Sequence, residues 1–522
     1  MKRSFSLLVA IVVAFGFASS SCSSDGSTID IVSQDTVVNN TATTEAPTTD
    51  SSDTSGVDSN TTYSTSDFPT PTIAWDSCGS YLECGYIDVP INYDDVNSDT
   101  TALYIVKHMA TDANDRIGSL LVNPGGPGFG GSYLAESADN IFSQAILSSF
   151  DIIGWDPRGT GQSIPAIDCI DDYDSLFGSG DITPDTDQER ADIVASSEEF
   201  TQACFDNNGD LLPYVGTNNV ARDMDMIRRA LGEDKISYFG FSYGSELGAT
   251  WTTMFPETVR AAVLDGASDP NADDLVGTLQ QNKGFEETIA IFLANCSADS
   301  SCAFHNDGNA EGAFDDLMEQ LDENPISTSS GRPDLTRGMA LTAVAQAMYS
   351  DSYWSYLEDA LALAQAGDGT DLLALYDKYF QRQADGSYGN ELEAFPNILC
   401  ADNPDRMTVE EADELVPQYQ ANAPRFSPGT TGDYTCVFWP KALDPRIKIS
   451  GKGAGPIVVI GTTGDAATPL ASTRNMVKAL EEGRLIVVTA DQHTGYNVNS
   501  CVNEAVDNYL IDLRAPDGEL YC

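Results

Sequence analysis

One short stretch limits the folds open to this chain more than any other. An apolar strand-forming run, Ile236-Ser237-Tyr238-Phe239, leads without a spacer into Gly240-Phe241-Ser242-Tyr243-Gly244, and a helix-forming stretch over 245–252 follows. A strand, a sharp turn and a helix in that order lift the central serine clear of its neighbours, and glycines let the backbones pass closely. The G-x-S-x-G pattern alone is weak, since roughly 0.2–0.3 chance matches are expected at average Gly and Ser usage. The flanking strand and helix give it weight; the alternative is a plain glycine-rich βα turn.

The rest of the chain supplies the matching frame. Apolar runs rich in β-formers occur at 84–91, 102–108, 119–122, 150–155, 236–239, 261–264, 457–460 and 485–489. Several are almost continuously apolar, as parallel strands buried on both faces should be. Their alternation with helical stretches predicts βαβ units in a doubly wound, mostly parallel eight-stranded sheet. The alternation stops between about 270 and 445, where helical patterns fill 312–321, 339–349, 353–366, 371–380 and 409–419. The expected organisation is a core over 68–270 and 445–522, with a mainly helical lid over 271–444 inserted between its strands.

Three further segments complete a chemistry for Ser242. Asn123-Pro124-Gly125-Gly126-Pro127-Gly128 follows the run 119–122. Acyl transfer needs backbone N–H groups aimed at the developing oxyanion. Tyr243, just after the serine, offers one, and Gly125 or Gly126 offers the other. A phosphate loop is the rival reading, but the run has no GKS/T and is rich in proline. The base is chosen from only three histidines, His108, His305 and His493. His493 follows the last apolar run, in Asp491-Gln492-His493-Thr494-Gly495-Tyr496, where a loop leaves the carboxyl edge of the sheet. Asp465, in Gly464-Asp465-Ala466-Ala467-Thr468-Pro469 after the run 457–460, is the orienting acid. Asp491 is the runner-up. Ser242, Asp465 and His493 stand in the chain order of the α/β-hydrolase fold.

Together with Gly154-Trp155-Asp156-Pro157-Arg158-Gly159-Thr160-Gly161, these motifs resemble the secreted tripeptidyl-aminopeptidase family, relatives of the prolyl aminopeptidases. AFPNILCAD at 394–402 and CVFWP at 436–440 resemble that family's C-terminal segment. The likeness covers about 75–505. Where the prolyl enzymes have HGGPG, this chain has Asn123, as the tripeptidyl branch does. The resemblance implies an α/β-hydrolase with a helical lid, a serine peptidase acting on peptide N-termini, and no cofactor. It also suggests that Thr468 supports the Asp465 loop; a Thr-Pro helix start is the other reading of those residues. Arg158, after the fourth expected strand, reads as a structural residue paired with a carboxylate.

Charge and cysteines set the surroundings. Lys and Arg number 26 against 80 Asp and Glu, for a net charge of −54. Such a field repels phosphates and argues against nucleic-acid binding. Lys2 and Arg3 precede an apolar run over 7–17, too short for a membrane span and suited to a signal peptide over 1–22. Small residues then lead to Cys22, which resembles a bacterial lipoprotein signal with the cysteine as anchor. Residues 23–67 read as a disordered Ser/Thr/Asp-rich tether. Of the 11 cysteines, setting Cys22 aside leaves ten, which in an exported chain suggests five disulfides, paired between neighbours. A metal site is disfavoured, because there is no CxxC and few histidines.

The expected function is therefore an exported or lipid-anchored serine hydrolase that releases short N-terminal peptides. A carboxylesterase acting on lipid or small acyl esters is the alternative, and a surface binding protein with a dead site a third. An exopeptidase must hold a free α-ammonium with shielded carboxylates. Glu286, Glu287, Glu391, Glu393 and Asp402 are the candidates, each equally readable as a surface acid.

Overall fold

The computed structural model describes residues 63–178, 183–184, 186–329, 331–427 and 433–522. The expected signal peptide, Cys22 and the tether through residue 62 lie outside the described residues. The last residues of the expected tether pack on the core. Thr65 is buried, and its carbonyl accepts from Arg229 at 2.5 Å.

Ten strands form one sheet: β1 (Asp76–Gly79), β2 (Leu82–Pro90), β3 (Thr100–His108), β4 (Gly118–Asn123), β5 (Phe150–Trp155), β6 (Ile236–Phe241), β7 (Val259–Asp265), β8 (Ile457–Thr462), β9 (Gly483–Val488) and β10 (Leu520–Tyr521). Their spatial order is β1-β2-β3-β5-β4-β6-β7-β8-β9-β10. The pairs β1/β2, β2/β3 and β3/β5 are antiparallel, and every later pair is parallel. The eight expected strands are β2 to β9. The two extra ones sit at the edges. β1 is wholly exposed and has no apolar run to announce it, and β10 is two residues long. Every residue of β4, β6 and β8 is buried, which explains their unbroken apolar sequence.

One face of the sheet is covered by helix Gln144–Ser149 and the C-terminal helix Ser500–Asp512, with Ile146, Phe239, Val263, Ile460 and Val506 in one cluster. Among the described residues, seven α-helices come between β7 and β8, from Asp274–Ala298 to Val409–Asn422. This insertion has no core to itself. Its Phe285, Leu341 and Ile398 share a cluster with Phe129, Ile167 and Phe200 from the segments after β4 and β5. Two of its helices, Asp274–Ala298 and Glu391–Asp402, were not expected; the second carries Pro396 in its interior.

All five disulfides join neighbours: Cys78–Cys84, Cys169–Cys204, Cys296–Cys302, Cys400–Cys436 and Cys501–Cys522. Arg158 is fully buried. Its guanidinium donates to both Asp223 oxygens, at 2.8 and 2.5 Å, and to the Pro90 and Ile91 carbonyls. It is thus a structural tie between the end of β2 and Asp223.

Candidate active site

β6 runs in register with β7 as far as the pair Phe241 and Asp265. The next residue, Ser242, turns sharply, with φ 55° and ψ −126°. A side-chain-bearing residue holds such angles only where its surroundings over-determine them. Two hydrogen bonds do so. The Ser242 N–H donates to the Asp265 carbonyl at 2.8 Å, and the Ser245 N–H donates to the Ser242 carbonyl at 2.7 Å, opening helix Tyr243–Met254. The flanking glycines are required by space. A Cβ on Gly240 would stand 2.2 Å from the Gly244 carbonyl oxygen, and one on Gly244 would stand 2.9 Å from that of Asn123.

The Asn123–Gly128 loop lies directly over this turn. Gly125 and Gly126 have φ 103° and 108°, a region that glycine tolerates. The Gly125 N–H donates to Asn123 Oδ1 at 3.0 Å. The Gly126 N–H has no acceptor among the described residues, and Gly126, Ser242 and Tyr243 border the same cavity. Tyr243 is the first residue of its helix, where an N–H has no intrahelical acceptor. Of the two expected glycines, Gly126 is the one left able to donate with Tyr243, while Gly125 supplies the close approach.

His493 and Asp465 meet. The imidazole Nδ1 lies 2.9 Å from Asp465 Oδ1 and 3.0 Å from Oδ2, and both residues are buried. Asp465 also accepts the N–H groups of Ala467 and Thr468, at 3.0 and 2.8 Å, and the Thr468 hydroxyl at 2.9 Å. Thr468 therefore supports the Asp465 loop; the helix that follows starts at Leu470, with Pro469 as its cap. The insertion also reaches the imidazole. The Tyr349 carbonyl accepts the His493 backbone N–H at 3.0 Å, and the Tyr349 ring stands edge-on to the imidazole with centroids 5.5 Å apart. Asp491 lends its carbonyl to the Asp351 N–H. His305 binds the Cys296 carbonyl, and His108 lies 3.5 Å from Asp139 at the other side of the sheet.

A cavity of about 370 Å³ opens at Ser242, bordered by Gly126, Tyr243 and Thr468. One part of its wall is aromatic, with Tyr349, Phe395, Tyr419 and Phe426. Another is acidic, with Glu246, Asp269, Asp273, Asp274 and Asp433, and it also holds Arg446. Glu246 accepts from the Arg446 guanidinium at 2.7 Å, and Asp274 lies 3.8 Å from it. Burial pushes the Asp274 carboxyl up to about 6, against the pull of Arg446.

None of the five carboxylates expected to hold a substrate amine borders this cavity. Glu286 accepts the Arg425 and Phe426 N–H groups, each at 3.0 Å. Glu287 is an exposed acid 3.6 Å from Lys283. Glu391, at the start of its helix, has its carboxyl raised by burial. Glu393 is wholly buried and accepts the Cys169 and Ile170 N–H groups at 2.9 and 2.8 Å. Asp402 accepts the Thr217 N–H at 2.7 Å and the Thr217 hydroxyl at 2.5 Å; that hydroxyl also meets the Tyr243 phenol at 2.5 Å. Burial raises Glu393 and Asp402 to about 7 each. Glu286, Glu393 and Asp402 hold backbone in place. The sequence reading missed Glu246, although a residue four positions after Ser242 on the following helix lies one turn from it.

Comparison with known proteins agrees with this fold. The family model described as alpha/beta hydrolase fold matches residues 118–499. Serine protease Hip1 of Mycobacterium tuberculosis is 36% identical over 458 residues, 84% of this chain and 87% of that protein. Carboxylesterase B of the same organism is 35% identical over 477 residues, 87% of this chain and 90% of its own length. Tripeptidyl aminopeptidase of Streptomyces lividans is 28% identical over 472 residues, 86% of each chain.

Proposed function

The chain belongs to the α/β-hydrolase family, in the branch that includes the tripeptidyl aminopeptidases, and from that premise we propose that it removes short peptides from free N-termini. It is a serine hydrolase. Ser242 Oγ attacks the substrate carbonyl carbon while His493 takes its proton, and Asp465 holds the imidazole and stabilises its cation. The N–H groups of Tyr243 and Gly126 receive the oxyanion. His493 then protonates the leaving amine, and the carbon–nitrogen bond breaks. Water, giving its proton to the same imidazole, hydrolyses the acyl-enzyme.

The observation that favours a peptide N-terminus is the acidic wall. Glu246 and Asp274 share one guanidinium, Arg446, and Asp433 borders the same cavity, which holds Ser242. The surplus negative charge, partly withdrawn from water, suits an α-ammonium group. The test compares a tripeptide anilide with its N-acetylated twin. We expect acetylation to lower kcat/KM by about 10²-fold or more, as for a desolvated charge pair, and Glu246→Gln to raise KM for the free amine alone. Equal turnover of the two peptides would overturn the reading.

An esterase is the second reading, favoured by the aromatic part of the wall and by the relative named carboxylesterase B. A short ester cleaved faster than either peptide would favour it. The five disulfides fit an oxidising, extracellular setting. Attachment to the outer membrane face through a lipid on Cys22 follows from the N-terminal sequence, and labelled palmitate incorporation that Cys22→Ser abolishes would test it.

A further inference from the structure

The last residue of β7, Asp265, does two things with its two ends. Its backbone carbonyl takes the Ser242 N–H at 2.8 Å. Its carboxylate, fully buried, takes the N–H groups of Gly495 and Tyr496, one on each oxygen, both at 2.8 Å. Gly495 is two residues beyond His493. The strand that fixes the nucleophile's turn thus also grips the loop that carries the base. The next residue, Gly266, fills the gap. At φ 68°, a Cβ there would stand 3.2 Å from His493 Cε1 and 3.0 Å from the His493 carbonyl oxygen.

A buried carboxylate is costly unless its oxygens are satisfied. Two backbone N–H groups satisfy this one but carry no full charge. Its nearest charge partners are His493, which favours the anion, and Asp465, which opposes it; burial is the larger effect and lifts the group to about 7.

We infer that Asp265 is a positioning residue for the catalytic base, fixing the distance between Ser242 and His493 and adding a second negative charge behind the imidazolium that forms as Ser242 loses its proton. The inference rests on the reading of Ser242 and His493 as nucleophile and base. The titratable groups that face His493 are Asp465 from the loop after β8, Asp265 from β7 and Tyr349 from the insertion; Asp491, on its own loop, lies beside Gly464. Asp265 is the one bonded to both catalytic segments.

The test is Asp265→Asn, which keeps the shape but turns an NH₂ group toward one of the two N–H donors and removes the charge. The expected result is a fall in kcat of about 10²-fold, the scale of an ångström's misplacement at a reacting pair. KM should stay within a few-fold, and the acid limb of kcat/KM should move to lower pH, because the imidazolium loses a neighbouring anion. A purely structural role would lower the folded fraction and leave the acid limb where it is. Unchanged kcat, or reduced kcat with an unmoved acid limb, overturns the inference. Should the D265N variant fail to fold, amide exchange in the unaltered protein decides. Gly495 and Tyr496 should exchange as slowly as β7; exchange at the rate of an open loop overturns the inference. Failure of the underlying reading is separate: Ser242 in the unaltered protein would then resist fluorophosphonate labelling.

Discussion

A Cβ on Gly125 would stand 2.8 Å from the Cβ of Ser242, and 2.6 Å from the Phe241 carbonyl oxygen. The glycine-rich loop is therefore pressed against the nucleophile's turn, and the residue next to Gly125 is the one whose N–H is left to donate.

Gly125→Ala should separate these layers. The φ of 103° and the contact with backbone both oppose a side chain. We expect a stability loss of about 1–3 kcal/mol, read as a lower urea midpoint, and a fall in kcat/KM of about 10²–10³-fold from loss of an aligned oxyanion donor. Full activity in the alanine variant would remove this loop from the chemistry.

Asp465→Asn should lower kcat by about 10⁴-fold, the loss known for the same change in another serine protease. Thr468→Val removes one donor to Asp465 and should cost less, about 10–100-fold, in line with a hydrogen bond to a charged group. Steady-state kinetics at constant pH measures both. Equal losses would mean that Thr468 acts directly rather than through Asp465.

Stability should rise as pH falls from 8 to 5. Burial raises Asp265, Glu393 and Asp402 to about 7 in the folded chain, while unfolded carboxyls titrate near 4. Between those values the folded chain holds protons that the unfolded chain has released. Stability from these groups is therefore fully present below about 4 and is lost as pH rises through about 7. Partial neutralisation of the −54 net charge acts in the same direction. Thermal midpoints across this range test the sign; a higher midpoint at pH 8 would contradict it.

Cys400–Cys436 ties helix Glu391–Asp402 to the segment that brings Asp433 and Tyr434 to the cavity. Closing a loop with a sequence separation of 36 is worth about 4 kcal/mol in the chain-entropy picture. Replacing both cysteines by serine should lower the thermal midpoint and raise KM more than it lowers kcat. An unchanged KM would show that this segment does not shape the substrate site.

The sheet was legible in the sequence, and so were the positions of the three proposed reacting side chains at strand ends, because each rests on local, patterned signals. The buried strands β4, β6 and β8 read as apolar runs, and Ser242, Asp465 and His493 each follow a strand end. The acids that border the cavity were not legible. In a chain with 80 acidic residues, burial alone does not distinguish a ligand-facing carboxylate from one tied to backbone, as Glu393 and Asp402 are. Glu246 had a signal, its place one turn beyond Ser242. Asp433 had none, since only the fold of the insertion brings it to the cavity. Helix Glu391–Asp402 escaped because Pro396 interrupts its pattern, although the bonds from Glu393 and Asp402 hold it on the core.

The most direct measurement treats the intact protein with a fluorophosphonate and locates the adduct by peptide mass spectrometry, beside His493→Ala. The account predicts one adduct, on Ser242, formed quickly in the unaltered protein and at least about 10³-fold more slowly without the imidazole. Peptide hydrolysis that survives Ser242→Ala, or an adduct on another residue, would contradict it.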